Sequence, residues 1–243
     1  MKRSFIREIL ESIDENTISF AGGLPSENLF PKEDLKTAAV KIFDNPKAFQ
    51  YGLSNGIPEL REKIASRYTK EGFPTAKENI LITTGSQQAM YILAKFYESK
   101  DITIEEPSYL GAMNIFRLNH LKMHGIKLEK DGINIKDFKE SFKNTKLTYL
   151  IPDFQNPSAT TYCDEKRKEI AKIVSEENGI LIEDSPYSEL FFDKKNISIS
   201  SKLPKNSFHL GSFSKTLVPS LRIGWIRADE ELIKSLMIIK ESI

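Results

Sequence analysis

Short apolar runs alternate with longer amphipathic stretches along most of this chain. Seven runs rich in β-branched and aromatic residues predict strands, at residues 80–84, 102–105, 126–128, 147–152, 180–183, 208–211 and 223–227. Several of these runs are apolar on both faces, which is typical of strands that helices cover above and below. The stretches between them are long enough for crossover helices. The pattern therefore predicts a three-layer α/β fold around a mostly parallel, seven-stranded sheet.

Residues 1–45 show a different pattern. The amphipathic stretch 5–13 predicts an opening helix, the pair Gly22-Gly23 predicts a turn, and a second helix is expected to begin near Pro31. We expect this segment to pack apart from residues 46–243, which hold all seven predicted strands.

Composition narrows the class of protein. The 243 residues are 40% hydrophobic, enough for a sizeable core in one or two domains. Basic and acidic residues number 35 and 34, so no charged surface favours nucleic acid. Cys163 is the only cysteine, and no apolar run has secretory or membrane-spanning length. His120 and His124 have the spacing of one helix face, but a third ligand is missing, so no metal site is predicted. We expect a cytoplasmic protein that binds neither nucleic acid nor membrane.

The candidate chemistry is concentrated where predicted strands end. Lys215 lies in the run Gly-Ser-Phe-Ser-Lys-Thr at 211–216, and Arg222 follows, so one amine stands among groups that suit a phosphate. Phe-Gln-Asn-Pro at 154–157 follows one strand, and Ile-Glu-Asp-Ser-Pro-Tyr at 182–187 closes the next. An amine for an imine, a carboxylate for a pyridinium, and a phenol and amide for a phenolate together describe a pyridoxal phosphate site. Ligands of such sheets bind beyond the carboxyl ends of the strands, so we expect these groups at one edge.

These three segments and four others resemble the fold-type-I aminotransferases of class I and II, especially the branch that handles 2-aminoadipate, kynurenine and related amino acids. The segments also follow one another along the chain in the order found in that family. The other four are Ile-Ser-Phe-Ala-Gly-Gly-Leu-Pro at 18–25, Gln-Tyr-Gly at 50–52, Thr-Gly-Ser-Gln-Gln-Ala at 84–89 and Glu-Pro-Ser-Tyr at 106–109. The resemblance extends from about Ser4 to the last residue. It implies that residues 46–243 form the cofactor-binding large domain and that residues 1–45 belong to a small domain. We expect the C-terminal helices and the rest of that small domain to be absent from this chain.

The resemblance assigns three catalytic residues. Lys215 would form a Schiff base with the cofactor aldehyde and carry a proton to and from the substrate. Asp184 would keep the pyridine nitrogen protonated. Glu183 is the competing carboxylate, and only one of the two can serve because neighbouring strand residues point to opposite faces. Tyr187, with Asn156, would donate hydrogen bonds to the phenolic oxygen of the cofactor.

Further residues are expected to hold the cofactor and the substrate. The phosphate would bind free amides at a helix N-terminus and donor side chains; the residues are Gly85, Ser86, Gln87, Ser212, Ser214 and Arg222. Tyr109 would stack on the pyridine, and Tyr51 would reach the phosphate of a neighbouring subunit, which implies a homodimer with shared active sites. The predicted substrate contacts are Gly22, Gly23, Asn156, Arg7 and Ser4.

Local sequence leaves simpler roles open for several of these residues. Asn156-Pro157 also fits a plain turn, Ser86 a helix cap, and Tyr51 a core tyrosine. Ser158-Ala159 stands where the family usually has Thr-Gly, so the loss of that glycine could restrict the loop.

The resemblance implies an aminotransferase that moves the amino group of an L-amino acid, such as 2-aminoadipate or an aromatic or aliphatic one, to a 2-oxo acid such as 2-oxoglutarate. A β-lyase could use the same residues, because Lys215 deprotonates Cα in either reaction. A catalytically impaired fragment is a second alternative, since the family's C-terminal part carries an arginine for the substrate carboxylate. The ligand-sensing half of a transcription regulator is a third. We disfavour it because the aminotransferase pattern already begins at Ser4, which leaves no room for a DNA-binding domain.

Overall fold

The computed structural model describes residue 14 and residues 16–18 and 23–243, and in these residues one mixed sheet forms the centre of the fold. Its strands are β1 (Ile80–Thr83), β2 (Asp101–Glu106), β3 (Lys122–Glu129), β4 (Gly132–Ile133), β5 (Leu147–Leu150), β6 (Ile180–Asp184), β7 (Ser207–Ser212) and β8 (Gly224–Arg227). They lie in the order β1-β8-β7-β6-β5-β2-β3-β4. The seven predicted strands are confirmed, and the sheet gains an eighth, the two-residue β4.

Strand direction decides where the site can form. β3, β2, β5, β6 and β7 pair in parallel, whereas β8 runs antiparallel to both of its neighbours, β7 and β1. β1 therefore has the same direction as the parallel strands. As a result, the carboxyl ends of β1, β2, β5, β6 and β7 share one edge of the sheet.

The described residues contain seven α-helices, six of which pack on this sheet. They are α1 (Lys32–Phe43), α2 (Pro58–Lys70), α3 (Gly85–Phe96), α4 (Leu110–Leu118), α5 (Ile135–Thr145), α6 (Asp164–Glu176) and α7 (Glu230–Lys240). α3, α4 and α7 pack on one face, around a core that includes Leu93, Phe116 and Leu236. α5 and α6 pack on the opposite face around Phe138 and Ile170, and α2 covers the β1 end of that face. The predicted three-layer fold is confirmed.

The N-terminal part of the described chain packs less tightly. α1 follows Pro31, as the sequence predicted, and none of its twelve residues is buried. The expected helix at residues 5–13 lies outside the described residues. The division at residue 45 into two domains stays a prediction.

Two further sequence expectations concern metals and membranes. His120 and His124 have the spacing of one helix face but do not share one, because His120 lies in the turn after α4 and His124 lies on β3, where its Nε2 is 2.8 Å from Asp101. Within the part of the chain that the structure describes, no three His, Cys, Asp or Glu side chains form a group that could hold a metal. Among the same residues, every helix is too short or too polar to cross a bilayer.

Candidate active site

Lys215 follows β7 at the shared carboxyl edge, where its amine meets the N-terminal segment. Its Nζ donates a hydrogen bond to the carbonyl oxygen of Gly23 at 2.6 Å and lies 5.9 Å from the centre of the Tyr187 ring. Partial burial lowers the pKa of this amine, because the charged form loses water. The neutral amine, the form that acts as a nucleophile and a base, is therefore favoured relative to an exposed lysine.

Asp184 is the last residue of β6 and is 2% exposed. Its Oδ2 accepts a hydrogen bond from the Tyr149 hydroxyl at 2.7 Å, whereas its Oδ1 is buried and has no hydrogen-bond partner among the described residues. Burial raises the pKa of this carboxyl to about 6, although the hydrogen bond from Tyr149 opposes the shift. A buried carboxylate with one unpartnered oxygen is costly, so this oxygen suits a hydrogen-bond donor or a cation that the described residues do not supply.

Glu183, the competing carboxylate, is satisfied by the chain itself. Its side chain points to the opposite face of β6 and accepts hydrogen bonds from the backbone amides of Ile199 at 3.1 Å and Ser200 at 2.6 Å. These amides open the short 3₁₀ helix Ile199–Lys202. Glu183 therefore caps a helix, and Asp184 is the carboxylate left for a ligand.

Asn156, Tyr187 and Tyr109 lie at the same edge. Asn156 donates from Nδ2 to the Tyr187 hydroxyl at 3.4 Å. Burial raises the pKa of Tyr109, and the nearby charges of Asp184 and Arg222 act on it in opposite directions. The structure thus brings two phenols and an amide together with the buried carboxylate.

The loop after Asn156 carries the departure from the family pattern. Ala159 has φ = 61°, in the left-handed region that glycine adopts without penalty. An alanine there costs on the order of 1 kcal/mol. The loop therefore keeps the backbone shape that a glycine would allow.

A second cluster of donors surrounds the N-terminus of α3. Ser212 Oγ donates to Ser214 Oγ at 3.0 Å, and Arg222 Nη1 lies 3.4 Å from the same Ser214 oxygen. Gly85, at φ = 76°, begins α3, and a Cβ on it would stand 2.5 Å from Arg222 Nη2. The guanidinium thus packs directly over the glycine. Because the first amides of a helix lack intrahelical acceptors, this arrangement suits an anion such as a phosphate.

Gly224 lies between the strand that leads to Gly85 and the strand that ends at Ser212, and it lets the two parts of this cluster approach each other closely. The sequence prediction missed this role. Gly224 pairs with Thr83 on one side and with Ser212 on the other. A Cβ on Gly224 would lie 2.6 Å from the carbonyl carbon of Gly85 and 2.8 Å from the amide of Ser86. A lone glycine inside a strand pattern often marks such a close approach, and that signal was available in the sequence.

Replacing Gly224 with alanine is expected to lower the free energy of unfolding by about 2 kcal/mol, because the Gly85-Ser86 backbone leaves the new methyl group no room. Urea unfolding would measure the change. Gly52→Ala is the matched control, since a Cβ at Gly52 meets no atom within 4 Å, and its change should stay within about 0.5 kcal/mol. Equal stabilities of the two variants would contradict the close packing.

Some predicted residues are not part of this cluster. The Tyr51 side chain is 100% exposed, so within one chain it packs against none of the described site residues. Of the two glycines expected at the substrate, Gly23 lies at Lys215, whereas Gly22 lies outside the described residues. Ser4 and Arg7 also lie outside them.

Sequence reasoning missed the residue that holds Asp184. Tyr149 is fully buried on β5 and reads as an ordinary apolar strand position. Its hydroxyl meets Asp184 only because β5 and β6 are neighbours, with Tyr149 paired to Ile182. A buried tyrosine usually finds a hydrogen-bond partner, but the sequence does not say which one.

Comparison with known proteins agrees with this arrangement. The family model described as "Aminotransferase class I and II" matches residues 16–243. The chain belongs to the class I and II aminotransferases. Among solved members, the kynurenine aminotransferase of Pyrococcus horikoshii is 33% identical with a TM-score of 0.90, over 100% of this chain and 63% of that one. The α-aminoadipate aminotransferase of Thermus thermophilus is 34% identical with a TM-score of 0.89, over 99% of this chain and 62% of that one.

Membership of the class I and II aminotransferases leaves room for more than one function. The chain spans 62% to 64% of the length of the curated aminotransferases that it matches first. It is also 32% identical to the HTH-type transcriptional regulator NorG of Staphylococcus aureus, over 95% of this chain and 53% of that protein. The similarity to solved aminotransferases confirms the predicted fold-type-I architecture.

Proposed function

We propose that this chain carries the active site of a pyridoxal-phosphate-dependent aminotransferase, which moves an amino group from an L-amino acid to a 2-oxo acid. The observation that carries the proposal is the buried Oδ1 of Asp184, which has no partner among the described residues and lies at the same sheet edge as the partly buried amine of Lys215. A protonated pyridine nitrogen would supply both the hydrogen bond and the positive charge that this oxygen lacks.

The residues present fit the cofactor. Its phosphate would bind at the N-terminus of α3, formed by Gly85, Ser86 and Gln87. Ser212, Ser214 and Arg222 would complete that cradle. Asp184 would hold the ring nitrogen, Asn156 and Tyr187 the phenolic oxygen, and Tyr109 one ring face. These assignments rest on the clustering described above and on the resemblance to the family.

Pyridoxal phosphate supplies a carbonyl carbon that takes up an amine and a ring that accepts an electron pair when a proton leaves the substrate Cα. Lys215 would remove that proton and deliver it to the former carbonyl carbon of the cofactor. The removal needs the neutral amine. Asp184 would keep the ring nitrogen protonated. Asn156 and Tyr187 would stabilise negative charge on the phenolic oxygen by donating hydrogen bonds.

The proposed donors are 2-aminoadipate and aromatic or aliphatic L-amino acids, and the proposed acceptor is a 2-oxo acid such as 2-oxoglutarate. The related solved enzymes support this range, since one acts on kynurenine and the other, an α-aminoadipate aminotransferase, was solved with a phosphopyridoxyl-leucine conjugate. Gly22, Gly23, Ser4 and Arg7 stay predictions as substrate contacts.

A homodimer with shared sites is part of the proposal. The segment before α2 exposes large apolar side chains that a second copy would cover; they are Phe43, Phe49, Tyr51, Leu53 and Ile57. A cytoplasmic location stays a prediction. Sedimentation of the cofactor-loaded protein at its natural length would give twice the subunit mass if the dimer is correct.

Two other functions compete. A β-lyase needs the same deprotonation by Lys215 and differs in its products. A ligand-sensing regulator half is also a candidate, because the chain is similar to the HTH-type transcriptional regulator NorG. In that case the chain would bind cofactor and amino acid without sustained turnover.

The test begins with the protein at its natural length, loaded with pyridoxal phosphate. Addition of glutamate or 2-aminoadipate should shift the visible absorbance band of the cofactor, and 2-oxoglutarate should restore it while forming glutamate from 2-aminoadipate. Release of pyruvate with ammonia or sulfide from suitable amino acids would indicate a lyase instead. A band shift without repeated turnover would favour the sensing function.

A further inference from the structure

Glu105 is a buried carboxylate that the proposed chemistry does not use. It lies on β2, is 1% exposed, and accepts three hydrogen bonds. The Ile151 amide at 2.9 Å and the Tyr162 hydroxyl at 2.7 Å donate to Oε1, and Gln155 Nε2 donates to Oε2 at 2.9 Å. Three protein donors therefore satisfy this buried carboxylate, as is usual for a buried polar group with a structural role.

Gln155 connects this carboxylate to two loops. Its Nε2 also donates to the Pro107 carbonyl at 2.9 Å, and its Oε1 accepts from the Ser158 amide at 2.9 Å and the Ser158 hydroxyl at 2.7 Å. Gln155 is itself 1% exposed. One side chain therefore ties the loop after β2 to the loop after β5.

Each of these loops carries one predicted cofactor contact. Tyr109 stands two residues after Pro107, and Asn156 stands between Gln155 and Ser158. The Asn156 side chain in turn donates to Tyr187. Hydrogen bonds on each side of Asn156 fix its backbone, so Glu105 and Gln155 control where its amide group points.

We propose that Glu105, acting through Gln155, is a positioning residue that sets the separation of Tyr109 and Asn156 at the cofactor. This inference rests on the proposed function, because it concerns how two residues are held against pyridoxal phosphate. Glu105 is 1% exposed and its carboxylate is bonded to protein donors, so it would act through Gln155 rather than by contact with the cofactor. Its carboxylate accepts from Gln155 Nε2 and leaves Oε1 of Gln155 free for Ser158, so it selects one orientation of the Gln155 amide.

Two variants disturb this arrangement in different ways. In Glu105→Gln, the oxygen of the new side-chain amide must accept the hydrogen bond from the Ile151 backbone amide. The NH₂ group of the new side chain then faces the NH₂ group of Gln155 and repels it. Gln155 must then turn over, which breaks its bonds to Pro107 and Ser158. Gln155→Met keeps the volume of the side chain but removes the bridge, while Glu105 retains Ile151 and Tyr162.

Glu183→Gln is the matched control. Glu183 is 0% exposed, lies on the neighbouring part of the same sheet, and also accepts backbone amides, but it faces away from the site. Its loss should reduce stability without changing how the cofactor is held.

The readouts are the Kd of pyridoxal phosphate for the cofactor-free protein and the pH midpoint of the visible band, each measured on protein at its natural length. Glu105→Gln and Gln155→Met should raise the Kd about tenfold. This is the loss expected when the charge-assisted hydrogen bond between Gln155 and Glu105 breaks together with the bonds of Gln155 to Pro107 and Ser158. The pH midpoint should rise by about one unit, because a displaced Asn156 no longer stabilises the phenolic oxygen. Glu183→Gln should leave both within twofold or about 0.3 pH units of the unaltered protein.

The outcomes separate this inference from the proposed function. If the unaltered protein takes up no cofactor at Lys215, the proposed function fails first. If it does, and both test variants match the Glu183 control in Kd and pH midpoint, the positioning role is wrong while the function stands. Should Glu105→Gln fail to fold, Gln155→Met decides alone, since it leaves the buried carboxylate two of its three donors.

Discussion

Replacing Lys215 with alanine is expected to lower kcat for amino transfer at least about 10⁴-fold, because one change removes both the attachment point of the cofactor and the base at the substrate Cα. The amine is partly buried and burial lowers its pKa, so its neutral, reactive form is more accessible than that of an exposed lysine. Single-turnover mixing of loaded protein with glutamate would measure the loss. Residual activity within a hundredfold of the unaltered protein would contradict the role given to Lys215.

Lys240 offers a matched control for that substitution. It is also partly buried, burial also lowers its pKa, and it donates to the carbonyl oxygens of Ser54 and of Ile82, the latter at 2.8 Å. Lys240→Ala removes a comparable amine from another place. We expect it to reduce stability and to leave the cofactor band and its reaction with glutamate intact.

Asp184→Asn is expected to have opposite effects on activity and stability. Activity should fall about 10³-fold, because an amide cannot hold a protonated pyridine nitrogen as a carboxylate does. The cofactor-free variant should nevertheless be more stable than the unaltered protein at pH 8, by roughly 3 kcal/mol. Turnover assays and urea unfolding of the cofactor-free proteins measure the two effects.

The sign of the stability change follows from the raised pKa. Burial raises the pKa of Asp184 from 3.8 to about 6, so the folded state holds its proton more tightly than the unfolded state. The associated stability is present in full below pH 4 and is lost as the pH rises through 6. Asparagine is neutral at every pH and keeps an acceptor for Tyr149, so the two proteins should be about equally stable near pH 4 and differ at pH 8.

Glu183→Gln again serves as the control, with the opposite stability result. It leaves one of two backbone amides without its acceptor, so it should destabilise the protein at pH 8 and leave kcat nearly unchanged. An Asp184→Asn protein that keeps activity within tenfold, or that loses stability at pH 8 as Glu183→Gln does, would contradict the assignment of the two carboxylates.

The sequence pattern predicted the strands and the three-layer fold, but it did not predict the order of the strands in the sheet. Apolar runs bounded by turn residues predicted seven strands correctly, but β4 (Gly132–Ile133) is too short to show a periodicity. The four-residue spacing of His120 and His124 would allow a shared helix face, but a turn leads from His120 into the strand that carries His124, so the spacing has no meaning there. The order of strands depends on long-range packing, which local pattern does not contain.

The same distinction holds at the site. The common location of Lys215, Asp184 and Asn156 at one sheet edge was predictable because each stands in a local motif at a strand end. Their supports were not, since Tyr149 meets Asp184 across 35 residues of sequence and Glu105 meets Gln155 across 50. Such partners become neighbours only when β2, β5 and β6 assemble side by side.

Reduction with borohydride followed by peptide mass mapping tests the central claim most directly. The protein at its natural length, loaded with pyridoxal phosphate, should yield one reduced cofactor adduct, on the peptide that contains Lys215, and the Lys215→Ala protein should yield none. An adduct on another lysine, or no adduct in a protein that is folded and saturated with cofactor, would contradict the account.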